Sequence, residues 1–121
     1  MVILLLDKSQ HITDRLVGYI SEARYDVIFQ RAITYTDAMA MLDEYKPEAV
    51  ILDINFPGPK AIELLQTIKA SNDKTVIIVL FTIADDFILK QLKENGAHFL
   101  FDKYNEFEKI PSTIVAIQAN R

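Results

Sequence analysis

The chain has 121 residues, 50% of them hydrophobic, which is enough for one hydrophobic core and leaves no room for a second domain. Its 13 basic and 17 acidic side chains give a net charge of -4, which argues against electrostatic binding of nucleic acid or of an anionic membrane. The absence of cysteine excludes disulfides, thiolate metal sites and cysteine nucleophiles. No apolar run approaches the roughly 18 residues of a membrane span. We therefore expect one cytoplasmic domain whose partners are proteins or small ions.

Apolar strands alternate with amphipathic helices in the first half of the chain. Residues 2–6 are all apolar and predict a strand, and apolar side chains at helical spacing predict a helix over 10–22 with Ser9 as its N-cap. A second strand is predicted over 25–32, and because its alternation is imperfect we expect it near an edge of the sheet. A second helix follows over 36–45 and ends before a proline.

The second half of the chain repeats this pattern three times. Pro59 suits the first turn of the third helix, Asp85 and Asp86 are placed to cap the fourth helix, and Gly96 is placed to end it. The predicted strands cover residues 49–54, 76–81 and 97–101, and the predicted helices cover residues 59–70, 85–95 and 106–119. Five strands that alternate with five helices through short loops predict a doubly wound α/β fold around a parallel sheet.

Ionisable residues follow three of the predicted strands. Asp7 follows the first strand, Asp53 lies near the end of the third, and Asp102 and Lys103 follow the fifth. A strand buried on both faces excludes an unpaired carboxylate, whereas the carboxyl edge of a parallel sheet is where such folds bind ligands. We therefore expect Asp7, Asp53 and Lys103 to converge in a site, with Asp102 in an ordinary loop or helix-cap role. The alternative is that Asp53 only caps the loop after its strand.

Two segments at these strand ends resemble the response regulator receiver family, and the resemblance covers the whole chain. One is Asp53-Ile54-Asn55-Phe56-Pro57-Gly58 followed by Ile62-Glu63-Leu64-Leu65, and the other is Gly96-Ala97 followed by Lys103. The resemblance implies the flavodoxin-like receiver fold, with Asp53 as the acceptor of a phosphoryl group and Lys103 as a contact of the phosphoryl oxygens. The chemistry is reasonable for these residue types, because a carboxylate can form an acyl phosphate and a nearby cation stabilises the transferred group.

The resemblance also implies a function and partners. The expected function is that of a stand-alone receiver, without an output domain, in a two-component or phosphorelay pathway. The phosphoryl group would come from a histidine kinase or a histidine phosphotransfer protein, and the signal would pass to a downstream protein partner. Such a receiver is not an enzyme beyond catalysing its own phosphorylation and dephosphorylation. Receivers also form homodimers and bind partners through the fourth helix and fifth strand, where we expect Tyr104 and Phe107 to be partly exposed.

A magnesium ion is the cofactor that the resemblance implies, held by Asp7, Asp53 and the backbone carbonyl of Asn55. The family carries two adjacent acids after the first strand, and in this chain the second of them is Lys8. Because an ammonium group cannot ligate magnesium, we expect Lys8 to pair with Asp53 and take the place of the metal. The alternative is that Lys8 turns to solvent and magnesium binds weakly.

The switch residues of the family are also altered. The family ends its fourth strand with a serine or threonine; counting back from Gly96 places Phe81 at that position, with Thr82 one residue later, and both assignments stay open. Leu100 stands where the family has an aromatic switch residue, and Tyr104 replaces the proline that usually follows the lysine. Together these changes predict that the conventional switch is weakened or lost.

Two other functions compete with the phosphorylated receiver. One is a degenerate receiver, a phosphorylation-independent interaction module whose shape is fixed by an ion pair between Lys8 and Asp53. The other is a flavodoxin-like electron carrier, which shares the order of strands. The electron carrier is disfavoured because the loop after the first strand lacks the glycine that a phosphate-binding loop needs.

Overall fold

The computed structural model describes residues 1–23 and 26–119, which form one parallel sheet with helices on both of its faces. The strands are β1 Val2–Leu6, β2 Ile28–Ala32, β3 Ala49–Asp53, β4 Val76–Phe81 and β5 Phe99–Asp102. The helices are α1 Gln10–Ala23, α2 Tyr35–Tyr45, α3 Ala61–Ser71, α4 Asp86–Glu94 and α5 Lys109–Ala119. The strand order is β2-β1-β3-β4-β5 and every pairing is parallel, so the predicted doubly wound fold and the edge position of the second strand are confirmed.

The sheet divides the core into two halves because successive side chains of each buried strand point to opposite faces. On one face, residues such as Leu4, Leu52 and Val79 pack against α2, α3 and α4. On the other, residues such as Leu5 and Ile51 pack against α1 and α5. The central strands are therefore buried on both sides, which accounts for their continuous apolar sequences.

The same alternation aims three charged residues at one side of the sheet edge. Asp7 follows Leu5 by two residues and Asp53 follows Ile51 by two, so both continue the side of the sheet that faces α1 and α5. Lys103 follows Phe101 in the same way, and Phe101 packs against that half of the core. The register of the parallel strands therefore places these side chains next to one another.

Several predicted boundaries need correction. Helix α3 begins at Ala61, so Pro59 lies in the preceding loop and not in the first helical turn, because Gly58 adopts a left-handed φ of 111° and the chain turns there. Strand β2 begins at Ile28, and Tyr25 lies outside the described residues. Strand β5 covers Phe99–Asp102 and not residues 97–101.

The start of the last helix is the largest difference. The prediction placed it at Glu106, whereas α5 begins at Lys109. The intervening residues form turns, because the Glu106 carboxylate accepts a hydrogen bond from the backbone N–H of Asp102 and folds the chain back on itself. Other caps are confirmed: Ser9 Oγ accepts the N–H of Ile12, Asp85 Oδ1 accepts the N–H of Ile88, and Gly96 has a φ of 114° after α4. Across the described ranges, no helix is long and apolar enough to cross a bilayer.

Candidate functional site

Three charged side chains meet at the carboxyl edge of the sheet. The Nζ atom of Lys103 lies 2.8 Å from Asp7 Oδ2 and 3.6 Å from Asp53 Oδ1. Asp7 and Lys103 are 3% and 6% exposed, whereas Asp53 is only partly buried and opens to solvent. The structure thus brings together the three residues that the strand ends predicted, and their chemical roles remain predictions.

The loop that follows β1 contributes a hydrogen bond that positions Asp7. Its Oδ1 atom accepts a hydrogen bond of 2.8 Å from the backbone N–H of Ser9. Its Oδ2 atom is buried and makes the ion pair with Lys103, but the contact lacks hydrogen-bond geometry, and Oδ2 has no hydrogen-bond partner among the described residues. The charge of this buried oxygen is therefore compensated by the ammonium group of Lys103.

Asp53 has a raised pKa, and burial is the main cause. The neighbouring Asp7 raises that pKa further, while the charge of Lys103 and a backbone hydrogen bond from Asn55 act in the opposite direction. The carboxylate therefore carries fewer stabilising contacts than its charge requires. A partly desolvated carboxylate beside a lysine is well placed to act as a nucleophile.

The donor set at the site fits a divalent cation. Two carboxylates and one ammonium group leave an excess of one negative charge at the site. Magnesium is usually held in proteins by one or two carboxylates together with water and phosphate oxygens, so two acids suffice. A cage of three or more His, Cys, Asp or Glu side chains is absent from the described part of the chain. Any metal here would therefore depend on solvent or a ligand for its remaining contacts.

Lys8 does not take the place of a metal in the structure. Its side chain is exposed, and within residues 1–23 and 26–119 the ion pair of Asp53 is with Lys103. The predicted pair of Lys8 with Asp53 is therefore wrong for this structure. The physical reason is that Lys103 already supplies a buried cation, and burying a second ammonium group would cost its hydration.

The altered switch positions lie where the fourth and fifth strands end. Phe81 is the last residue of β4 and pairs with Asp102 of β5. Thr82 follows in an exposed bend, and its hydroxyl makes no hydrogen bond within the described residues. Leu100 packs against the half of the core beneath α2, α3 and α4. The assignment of the switch position to Phe81 or Thr82 stays a prediction.

The loop after β5 contains a hydrogen-bonded arrangement that the sequence analysis described only in part. Asp102 Oδ1 accepts hydrogen bonds of 2.9 Å from the N–H groups of both Tyr104 and Asn105, which confirms its predicted role in the loop. Glu106 was missed: its Oε1 atom accepts the N–H of Asp102 at 3.0 Å, and its Oε2 atom contacts Lys109 Nζ at 2.8 Å. The available signal in the sequence was the pair of carboxylates four residues apart, Asp102 and Glu106.

Three exposed apolar side chains follow the ends of β4 and β5. Ile83, in the loop between β4 and α4, is 90% exposed, Phe87, in the first turn of α4, is 68% exposed, and Tyr104, after β5, is 67% exposed. The predicted exposure of Tyr104 is confirmed. The predicted partial exposure of Phe107 is wrong, because its ring is 2% exposed and packs between Tyr19 and Arg15 of α1.

Comparison with known proteins identifies the family of the chain. Residues 3–115 match the model of the response regulator receiver domain. The chain is 34% identical over 84 residues to the regulatory protein VanRB of Enterococcus faecalis, an alignment that covers 69% of this chain and 37% of that protein. It is 29% identical over 84 residues to the transcriptional regulatory protein MalR of Bacillus subtilis, which covers 69% of this chain and 35% of MalR. The two alignments thus cover less than half the length of these curated relatives.

Solved structures show the same fold. A two-component response regulator from Clostridium difficile superposes with a TM-score of 0.88 at 18% identity, covering 98% of this chain and 96% of that one. The receiver domain of a DNA-binding response regulator from Colwellia psychrerythraea superposes with a TM-score of 0.83 at 21% identity, covering 96% of this chain and 98% of that one. Because the family model matches residues 3–115, this chain belongs to the response regulator receiver family of two-component signalling.

Proposed function

We propose that this receiver accepts a phosphoryl group on Asp53 from a histidine kinase or a histidine phosphotransfer protein. The observation that carries the proposal is the position of Lys103, whose Nζ atom lies within 4 Å of both Asp7 and Asp53 at the open edge of the sheet. A buried ammonium group held by one carboxylate and adjacent to a second is suited to stabilising charge that develops on the second.

The reaction follows from this geometry. A carboxylate oxygen of Asp53 attacks the phosphorus of a phosphohistidine, the new O–P bond forms, and the P–N bond breaks with its electron pair going to the imidazole nitrogen. Lys103 remains tethered to Asp7 and contacts the phosphoryl oxygens as a point charge. The tether fixes the ammonium group before transfer, so little reorganisation is needed when the negative charge arrives.

The charge balance indicates why a divalent cation would assist. The phosphorylated site would contain about two negative charges on the phosphoryl group and one on Asp7, against one positive charge on Lys103. Asp7, Asp53 and the backbone carbonyl of Asn55 would hold magnesium, which would supply the missing positive charge. The exposed side chain of Lys8 leaves this position open.

The degenerate-receiver alternative is less well supported. It depends on an ion pair between Lys8 and Asp53, and Lys8 is exposed.

For the partner surface, we propose the exposed apolar side chains Ile83, Phe87 and Tyr104, which suit a downstream protein or a second copy of the domain. Ile83 and Tyr104 follow β4 and β5 at the same edge of the sheet as Asp53, so we expect phosphorylation to alter this surface.

The test is the mass of the intact protein after incubation with phosphoramidate, with and without magnesium. We expect the wild type to gain one phosphoryl group in the presence of magnesium, and Asp53→Asn to gain none. Asp73→Asn is the matched control, because Asp73 is an exposed aspartate just before β4, at the opposite edge of the sheet from Asp53, and this variant should behave as wild type. Phosphorylation that persists in Asp53→Asn, or a wild type that gains nothing, would contradict the proposal.

A further inference from the structure

We infer that Asp102 is a positioning residue for Lys103, acting through a clamp of hydrogen bonds that requires a residue other than proline at position 104. The inference rests on the proposed function of Lys103 in phosphoryl transfer and deepens it. We define the loop clamp as Asp102, Glu106 and the backbone N–H groups of residues 102, 104 and 105 that these two carboxylates accept.

The clamp holds the backbone on both sides of Lys103. On the amino-terminal side, Glu106 Oε1 accepts the N–H of Asp102 at 3.0 Å. On the carboxyl-terminal side, Asp102 Oδ1 accepts the N–H groups of Tyr104 and Asn105, each at 2.9 Å. The N–H of Lys103 itself donates to the carbonyl oxygen of Phe81 at 2.7 Å. Four consecutive backbone N–H groups are therefore fixed, and the lysine side chain projects from the middle of them.

Further bonds close the arrangement. The Glu106 N–H donates to the Asp102 carbonyl oxygen at 3.0 Å, so residues 102 and 106 bond to each other in both directions. Lys109 Nζ contacts Glu106 Oε2 at 2.8 Å and ties the clamp to the first turn of α5. The backbone hydrogen bonds from Asn105 and Tyr104 lower the pKa of the Asp102 carboxylate, so this group stays ionised and able to accept them at neutral pH.

The clamp explains the departure at position 104. The family usually carries proline after the lysine, and proline has no backbone N–H. Here the N–H of Tyr104 is one of the two donors to Asp102 Oδ1, so proline at this position would remove half of that contact. The exposed ring of Tyr104 plays no part in the clamp. The backbone of Tyr104, and not its side chain, is therefore what the site uses.

The test compares three variants at the clamp with a matched control. Asp102→Ala removes the acceptor, Asp102→Asn keeps an acceptor oxygen in the same place, and Tyr104→Pro removes one donor. Asp85→Ala is the control, because Asp85 likewise accepts a backbone N–H at the start of an element, in this case α4. Thermal denaturation of each variant shows whether its melting temperature is the same as that of the wild type.

Two readouts separate the positioning role from a general loss of stability. The first is the NMR resonance of the Lys103 Cε atom, assigned by its loss in Lys103→Met, which reports the surroundings of the ammonium group without any phosphorylation. The second is the rate of phosphorylation by phosphoramidate with magnesium. We expect Asp102→Ala and Tyr104→Pro to move the resonance and to slow phosphorylation roughly tenfold or more, because small misplacements of a reacting group are costly.

The expected pattern also includes a rescue and an unaffected control. Asp102→Asn should restore most of the resonance position and of the rate, and Asp85→Ala should change neither. The inference is overturned if Asp102→Ala leaves the Lys103 resonance in place, or if Asp85→Ala slows phosphorylation as much as Asp102→Ala does. If Asp102→Ala does not fold, Tyr104→Pro compared with Tyr104→Phe decides the same question. A wild type that takes no phosphoryl group refutes the proposed function, while the resonance still tests the clamp.

Discussion

Lys103 is the residue on which the electrostatics of the site depend. Its ammonium group is buried between two carboxylates, and Asp7 has no hydrogen bond to Oδ2 that could replace this ion pair within the described residues. Removing one partner of a buried ion pair leaves the other charge without compensation, which is more costly than never having buried the pair. Lys8 is adjacent in sequence to Asp7 but exposed, so its charge is screened by water.

The first prediction concerns these two lysines. Lys103→Met should lower the free energy of unfolding by about 3 kcal/mol, because Asp7 stays buried without its cation. Lys8→Met, the matched control, should change it by less than about 0.5 kcal/mol. Urea denaturation of both variants measures the difference. Adding Asp7→Asn to Lys103→Met should recover part of the loss, and equal effects of the two lysine variants would show that the buried pair is not what stabilises the edge.

The loop between β3 and α3 acts as an element that holds Asp53 in place. Phe56 is buried and its N–H donates to the Asp53 carbonyl oxygen at 2.9 Å, which closes a turn directly after the acceptor residue. Gly58 then adopts a φ of 111°, and a Cβ atom added there would lie 2.8 Å from the Cβ atom of Tyr35 in α2. The loop is therefore fixed both by its backbone conformation and by contact with a neighbouring helix.

The second prediction is that Gly58→Ala destabilises the protein by about 1–3 kcal/mol, since it combines an unfavourable φ with a close contact. Gly18→Ala provides the opposite control. Gly18 lies within α1, and an added Cβ would meet nothing within 4 Å, so alanine should stabilise the helix by up to about 1 kcal/mol. Thermal denaturation of the two variants should give melting temperatures on opposite sides of the wild type, and a neutral Gly58→Ala would contradict the argument.

Most of the helices and strands, and the meeting of the three charged residues, could be predicted from the sequence. Apolar periodicity located all five strands and all five helices, and the convergence of Asp7, Asp53 and Lys103 followed from the parallel arrangement. It could not locate the start of α5, because side-chain hydrogen bonds from residues 102 and 106 set that boundary and leave no periodic pattern. It also misplaced Lys8, because whether a long flexible side chain enters a site or remains in water depends on competing charges that only the structure shows.

At the scale of the whole molecule, the fold separates binding chemistry from core stability. The charged cluster lies at one edge of the sheet, while both halves of the core lie along its faces. A ligand at the edge can therefore stabilise the domain by mass action without repacking the core. The cluster has an excess of one negative charge, so a cation and an anionic phosphoryl group should each bind better in the presence of the other.

The third prediction follows from this coupling. Magnesium together with beryllofluoride, a phosphoryl analogue, should raise the free energy of unfolding by about 2.7 kcal/mol. This value applies when magnesium is saturating and beryllofluoride is present at about a hundred times its dissociation constant. Either one alone should give a clearly smaller shift in the melting temperature. Thermal denaturation with magnesium, with beryllofluoride and with both measures the coupling, and Asp53→Asn should lose it. A full shift with magnesium alone would mean that the two acids already form a complete metal site.

The backbone hydrogen bond from Tyr104 to Asp102 links two positions that a reader of the sequence would treat as independent. A carboxylate at 102 needs an N–H two residues later, and a proline at 104 cannot provide one. The two residues are therefore competing solutions for shaping one loop. Among receivers, we therefore expect an acid at the position of Asp102 and a proline at the position of Tyr104 to exclude each other. A lineage that changes from one to the other by single substitutions should pass through a less fit receiver that has both residues or neither.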